Sequence, residues 1–459
     1  MDSIVLYKNK TDCCNCGACE NICPKKAITM IQDNEGFYYP EINTDLCIKC
    51  GLCIKTCPMK KHKAEAIQES RKSHVRIINF STENNYGALL AGICLENTIR
   101  TIVSDNTVVE SINYNRKASF PTYKTQIKKE LNIWADLFKI ILAKFHLYKQ
   151  VTIENNTKTI SNYSYKKIHR YNKFRALFLN QTSESDDLNL KESTDNISAL
   201  VCGSDVIWHP NIISSGTSKA FYLNFGDDST RRIAYAPSLD FQDGKELRKY
   251  KSYYKKELKN FDFISVREKD NVNFIQSVTK KKVQQCCDPV FLYKSEDFEE
   301  MMSVSEESVP EEKYIYAYIL RKNDYAVEYV KKLAQEKNLK ICFYAEEYDD
   351  FGDNAVNCFS DGPAEFLQRL KNAEYVITTS FHCVAFSLIF QKQFLSFTRS
   401  ETGNKIPDIL ETFGVTDRQV DNGCIKDIDE PINYKEVEEK INALSEESLD
   451  YLRNALKNI

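Results

Sequence analysis

From residue 75 onward, short apolar runs alternate with longer stretches whose apolar positions recur every three or four residues. The runs predict strands over 75–80, 198–202, 232–236 and 261–266, then over 314–320, 339–344, 375–378 and 394–397. They are rich in Val, Ile, Tyr and Phe and lack the apolar–polar alternation of a half-exposed sheet, so they read as strands buried on both faces. The intervening stretches predict helices over 88–100, 326–335, 363–371 and 382–390; Leu89, Ile93 and Ile99 form the apolar stripe of the first. Strands that alternate with helices build parallel sheets. Two such series, joined by an acidic stretch at 295–312, predict an α/β protein with two Rossmann-like domains, 75–300 and 313–459, the second carrying terminal helices. Ligands of such sheets bind beyond the carboxyl ends of the strands.

Two regions break this rhythm. Residues 61–74 are polar and charged without Pro or Gly, and read as a linker. Residues 116–180 read as a basic helical insertion. They carry 14 Lys and Arg against three acids, a local excess of +11, which leaves −14 for the rest of a chain whose total is −3. Within it Ile127, Leu131, Trp134, Phe138, Ile141, Phe145 and Tyr148 step by fours and threes along one helical face. Lys128, Lys129, Lys139, Lys144 and Lys149 lie off that face. The stripe suits packing on a core. With its basic flank it also suits docking at an anionic membrane surface or an acidic partner, and both readings stay open.

Composition narrows the class. The chain has 459 residues, 42% hydrophobic and 28% charged, enough for several full-sized cores. A near-zero net charge argues against a nucleic-acid binder. The longest uncharged run, 375–391, has 17 residues and contains Thr378, Ser380 and His382, too short and too polar for a membrane span. No apolar leader followed by small residues is visible at the start. Of 17 cysteines, nine crowd between Cys13 and Cys57. A disulfide framework would not cluster so tightly. Metal is the expectation, and with it a reducing cytoplasm.

Within 1–60 the spacing is decisive. Cys13, Cys16, Cys19 and Cys23 read C-x2-C-x2-C-x3-C before Pro24; Cys47, Cys50, Cys53 and Cys57 repeat it before Pro58. Three closely spaced thiolates wrap one corner of an iron–sulfur cube, and the fourth reaches the other cube. The expected ligand sets are Cys13, Cys16, Cys19 and Cys57 for one [4Fe-4S] cluster, and Cys47, Cys50, Cys53 and Cys23 for the second. Thiolates are also zinc ligands, but the doubled pattern favours iron. Cys14 is surplus and reads as a filler beside the cluster. The region resembles the bacterial two-cluster ferredoxins.

The rest of the chain offers five stretches at predicted strand ends: Asn85-Tyr86-Gly87, Gly203-Ser204-Asp205, Arg267, Asp288-Pro289-Val290 and Ser380-Phe381-His382. With Ile207-Trp208, Ile264-Ser265-Val266 and Ala385-Phe386-Ser387 around them, residues 75–420 resemble the polysaccharide pyruvyl transferase family. Cys383, His209 and Lys405 stand where members commonly have glycine, asparagine and arginine. The resemblance implies a fold like that of two-domain glycosyltransferases (the B-type arrangement). It implies transfer of pyruvyl from phosphoenolpyruvate onto a sugar or lipid-linked glycan as a ketal, in cell-surface polysaccharide biosynthesis. Arg267 would grip carboxylate or phosphate through its planar fork. His382, in the first turn of a helix, would be the general acid. Asn85, Tyr86, Gly87, Gly203, Ser204, Asp205 and Ser380 would line the substrate.

A redox-neutral transfer has no evident use for two clusters, so other readings stand beside it. One is a ferredoxin-fed oxidoreductase with a redox partner, since the cysteine leader also resembles that of deazaflavin-dependent hydrogenase beta subunits. No G-x-G-x-x-G flavin fingerprint accompanies it. The other is a non-catalytic scaffold that binds a glycan or a partner. The expected location is the cytoplasm, with peripheral contact at the inner face of the membrane.

Overall fold

The computed structural model describes residues 6–7, 10–34, 36–59, 72–115, 156–192, 196–214, 219–240, 244–320, 323–345, 351–352, 355–398, 403, 405–421 and 425–459. The basic stripe from Ile127 to Tyr148 and its lysines lie outside the described residues, as does most of the linker. The chain divides into two compact units, Met1–Ser73 and His74–Ile459, and the second holds both α/β halves. Among the described residues, no helix is long and apolar enough to cross a membrane.

The small unit contains α1 (Ala18–Ile22), an antiparallel hairpin of β1 (Ile28–Gln32) and β2 (Tyr38–Ile42), and α2 (Leu52–Thr56). Its buried core is Leu6, Cys19, Ile28 and Cys53.

The large unit opens with β3 (Ser73–Ile78), α3 (Tyr86–Ile102), β4 (Thr107–Ser111) and α4 (Asn156–Phe178). It continues with β5 (Ile197–Cys202), β6 (Arg231–Ala234), β7 (Phe263–Val266), α5 (Lys269–Gln276) and β8 (Val283–Gln285). These strands form a six-stranded sheet ordered β4-β3-β5-β6-β7-β8. From β3 to β8 every pairing is parallel.

The second half has β9 (Tyr314–Tyr318), α6 (Asp324–Lys337), β10 (Lys340–Tyr344), β11 (Ala355–Asn357), α7 (Pro363–Asn372) and β12 (Tyr375–Thr378). After them come α8 (Phe381–Ile389), β13 (Gln393–Phe397), α9 (Lys405–Phe413), β14 (Gln419–Val420) and α10 (Tyr434–Ala455). Its sheet is parallel throughout, ordered β11-β10-β9-β12-β13-β14. All five residues of β9 are buried, as expected for a central strand with helices on both faces.

Both halves are thus doubly wound, as the alternating pattern predicted. The last helix lies in the range 313–459 but ends on the first half. Tyr451, Leu452, Ala455 and Leu456 pack against Val75, Ala199 and Ile233 of the first sheet, and the Tyr451 hydroxyl donates to the Ala234 carbonyl at 2.8 Å. A second tie is α4. Arg170 reaches the Ser360 carbonyl in the second half (3.0 Å), while Arg175 donates to the Ser81, Thr82 and Glu83 carbonyls of the β3–α3 loop (3.0, 2.9 and 2.7 Å).

Candidate active site

Each sheet reverses its winding at one place, between β3 and β5 in the first and between β9 and β12 in the second. The segments that leave these four strands border one cavity of about 380 Å³. That is where doubly wound sheets bind ligands, and the volume suits a small molecule. Asn85, Tyr86, Gly87, Asp205 and Arg267 line it from the first half; Ser380 and His382 line it from the second. Gly203 and Ser204, expected beside them, are not among the residues that line it; they brace its wall.

Local chemistry explains these positions. Asn85 is the N-cap of α3 and accepts from the Ala88 amide at 3.1 Å, a bond worth about 1 kcal/mol. Ser380 occupies the equivalent position before α8. Two helix N-termini therefore border the same cavity, each with amide groups outside the helical ladder and a positive dipole end. Gly87 is required: a β-carbon there would lie 1.9 Å from Nδ1 of His382. Gly203 is required twice over, by a φ of +129° and by a β-carbon 1.8 Å from the Tyr235 carbonyl oxygen. Ser204 donates to the Ala236 carbonyl at 2.8 Å. The Tyr86 ring stacks on Phe366 with centroids 4.7 Å apart, and its hydroxyl donates to the Asp361 carbonyl at 2.9 Å. Tyr86 thus ties the halves together while one edge meets the cavity.

Arg267 is the positive centre. It is only 4% exposed. Its Nη1 donates to Asp288 Oδ2 at 2.8 Å, its Nε to Glu268 Oε1 at 3.1 Å, and its guanidinium carbon lies 4.0 Å from the centroid of the Phe381 ring. Its Nη2 is buried and has no hydrogen-bond partner in the protein. Burial disfavours the charge, yet Glu268 and Asp288 outweigh it and hold the guanidinium above its ordinary value. Asp288 mirrors this. Burial opposes its charge, but His382 and Arg267 hold the carboxyl well below the usual range. His382 Nε2 lies 3.6 Å from Asp288 Oδ2, an ion-pair distance beyond a hydrogen bond. The arrangement presents a fixed cation, an imidazole and two helix N-termini to one cavity, which suits a small anion with more than one negative group.

Some functional positions were hidden in the sequence. Asp288 stands there as the first residue of Asp288-Pro289-Val290, but nothing in that tripeptide shows its carboxylate joining Arg267 to His382. Phe381 stands in the sequence within Ser380-Phe381-His382, just before the predicted helix, and only packing makes it a face for Arg267. Lys405 lines the cavity and pairs with Asp240 at 2.8 Å. Cys383, one residue past His382, is buried away from the site in the second half's core, where burial pushes its thiol up to about 12.

In the small unit the two cysteine motifs share one backbone path. Asn15 and Lys49 sit at φ 56° and 57°, and Gly17 and Gly51 at 67° and 74°, before α1 and α2. Cys57 lines the same small cavity as Cys13, Cys16 and Cys19. Amides point at sulfur: Asn15 to Cys13 at 3.4 Å and Ala27 to Cys23 at 3.3 Å. Cavity, thiol set and N–H···S bonds fit a cluster-type cofactor at that end.

The sequence profile of the polysaccharide pyruvyl transferase family matches residues 85–401, and the chain belongs to this family. A 4Fe-4S dicluster domain matches residues 12–61. The chain is therefore an iron–sulfur member of a family of glycan-modifying transferases. Curated protein sequences give no match. Similar solved structures include UDP-GlcNAc 2-epimerase from Neisseria meningitidis, at 9% identity and TM-score 0.40 over 84% of this chain and 94% of that one. The same enzyme from Methanocaldococcus jannaschii matches at 11% and 0.38 over 81% and 92%. The wall teichoic acid polymerase TagF matches at 12% and 0.34 over 64% and 85%.

Proposed function

We propose that this protein transfers the pyruvyl group of phosphoenolpyruvate to a sugar or lipid-linked glycan as a ketal, with His382 as general acid and Arg267 as the anion grip. The observation that carries this reading is Arg267, which lines a cavity that also borders two helix N-termini and whose buried Nη2 has no hydrogen-bond partner in the protein. An orphaned buried donor costs roughly 1–3 kcal/mol or more when charged, so a ligand that accepts from it binds with that advantage. Phosphoenolpyruvate supplies a carboxylate and a phosphate.

In the reaction His382 gives a proton to the methylene carbon, which becomes the methyl group of the ketal. A sugar hydroxyl adds to the adjacent carbon, and its proton restores His382. Phosphate leaves, and a second hydroxyl closes the ketal; the proton of that hydroxyl departs with phosphate. Arg267 holds charge in place throughout, and its guanidinium stays protonated. The step that His382 assists is typically accelerated about 10² to 10⁴-fold by a positioned acid.

The small unit holds two [4Fe-4S] clusters in this reading, one by Cys13, Cys16, Cys19 and Cys57, the other by Cys47, Cys50, Cys53 and Cys23. Such clusters exchange single electrons with a redox partner, and the transfer itself does not draw on them.

The test is phosphate release from phosphoenolpyruvate by anaerobically purified protein, with candidate glycans as acceptors. The expected result is acceptor-dependent release that His382→Ala abolishes with fold and iron content intact. Release that is unaffected by His382→Ala would sink the assignment.

A further inference from the structure

Among the described residues, Asp288 is the carboxylate that faces both Arg267 and the imidazole of His382. Its Oδ2 takes Nη1 of Arg267 at 2.8 Å and the Ser204 hydroxyl at 3.3 Å, and it faces Nε2 of His382 at 3.6 Å. Arg267, Ser204 and Asp288 come from the first half of the large unit; His382 comes from the second. Its other oxygen, Oδ1, does separate work: it caps the short 3-10 turn of residues Pro289–Leu292 by accepting from the Val290 amide at 3.3 Å. The two oxygens thus divide a structural duty from a duty toward the site.

We propose that Asp288 is a positioning residue that fixes the imidazole of His382 with its proton on Nε2. Nδ1 is then the nitrogen that exchanges a proton with substrate. Asp288 Oδ2 is ionised and accepts only, so the nitrogen that faces it must be the donor. Apo hydrogen bonds of this kind are commonly long and tighten when ligand binds. The opposite nitrogen, Nδ1, sits over Gly87 in the first turn of α3, where the missing β-carbon leaves it room, and both residues line the cavity. The same oxygen holds Nη1 of Arg267, so one carboxylate sets the orientation of the acid and of the anion grip together. The tautomer assignment rests on geometry alone; the further statement that Nδ1 serves the reaction rests on the transferase reading above.

Asp288→Asn separates the two duties. The asparagine carbonyl can keep the cap on Val290, while its NH₂ group now faces two donors. An NH₂ opposite Nε2 forces that nitrogen to accept, and the proton moves to Nδ1, the wrong tautomer for the proposed step. The experiment uses full-length, anaerobically purified protein with ¹⁵N-labelled histidine, at a pH where the His382 ring is neutral. The His382 signals are identified by their loss in His382→Gln. The wild type should carry its proton on Nε2, and Asp288→Asn should carry it on Nδ1. Phosphate release should fall in Asp288→Asn by about 10² to 10⁴-fold, with a smaller change in KM for phosphoenolpyruvate. A purely structural Asp288 predicts the wild-type tautomer and near wild-type turnover in Asp288→Asn, and that result would overturn the proposal. Should Asp288→Asn not fold, the wild-type spectrum decides alone: a proton on Nδ1 rejects the assignment, and one on Nε2 supports it. Should the wild type release no phosphate with any acceptor, the transferase reading fails while the tautomer measurement still stands.

Discussion

The two units of this protein are stabilised in different ways. The large unit buries full apolar cores around both sheets, with Trp208, Tyr222, Phe261 and Phe298 at 0% exposure. Among its described residues the small unit buries only Leu6, Cys19, Ala27, Ile28, Pro40 and Cys53, and two of these, Cys19 and Cys53, are expected cluster ligands. Ile31, Phe37, Leu46 and Ile48 are all about half exposed in it, at 48–57%. A core this small cannot offset chain entropy unaided. The large unit therefore stands on packing, and the small one on the bonds its thiolates make. The lesson is that cofactor loss and core damage should act on separate parts of the molecule.

The largest expected effect follows from that contrast. Iron chelation, or Cys57→Ala, should unfold the small unit and leave the large one folded, because metal-binding energy there is folding energy. Limited proteolysis checks this: cleavage should move into the first sixty residues while a fragment from about residue 74 survives. Cys57→Ala should also strip the cluster expected at Cys13, as iron and labile sulfide assays would read, although the two lie 44 positions apart in sequence. A small unit that resists protease without iron would erase the contrast.

A smaller effect, confined to the large unit, comes from Arg175. Burial lowers its proton affinity, but its charge is satisfied by three loop carbonyls and Asn84 Oδ1 at 2.9 Å. Arg175→Ala leaves those acceptors unpaired and should cost about 2–4 kcal/mol. It also frees the loop that carries the Asn85 cap, so KM for phosphoenolpyruvate should rise more than kcat falls. Thermal unfolding and steady-state kinetics read the two parts, and the iron content should not change.

The smallest effect concerns pH. Burial, with Glu268 and Asp270 nearby, pushes the carboxyl of Asp408 up to about 7 from an ordinary 3.8. A raised carboxyl favours the protonated form in the folded state. Its contribution is full below the unfolded value and is lost as pH rises through about 7. The Tm of the large unit should therefore fall between about pH 4 and 7, and Asp408→Asn should flatten that fall. An unchanged slope would remove Asp408 from the account.

How much of this was legible in the sequence also divides by unit. The cysteine ligands lie within one short segment, so their spacing alone carries the chemistry. The strands of the large unit were legible because β5, β9 and β12 are continuous apolar runs in turn-bounded segments. The edge strands β4, β11 and β14 were not, because short strands with partly exposed residues lack that signature. The cavity residues were legible only as strand ends. Their convergence depends on strand order, which brings Asn85 and His382 to one place across almost 300 positions. Asp288 and Arg175 act through contacts that no local pattern encodes.

The central claim is that the cavity of the large unit takes phosphoenolpyruvate through Arg267. Calorimetric titration of phosphoenolpyruvate into anaerobically purified wild type, Arg267→Lys and His382→Ala tests it most directly. The account predicts binding by the wild type, binding retained by His382→Ala, and binding weakened at least about tenfold in Arg267→Lys, because an ammonium cannot replace the fork that spans Asp288 and the ligand. Equal binding by wild type and Arg267→Lys, or no binding by the wild type, would contradict it.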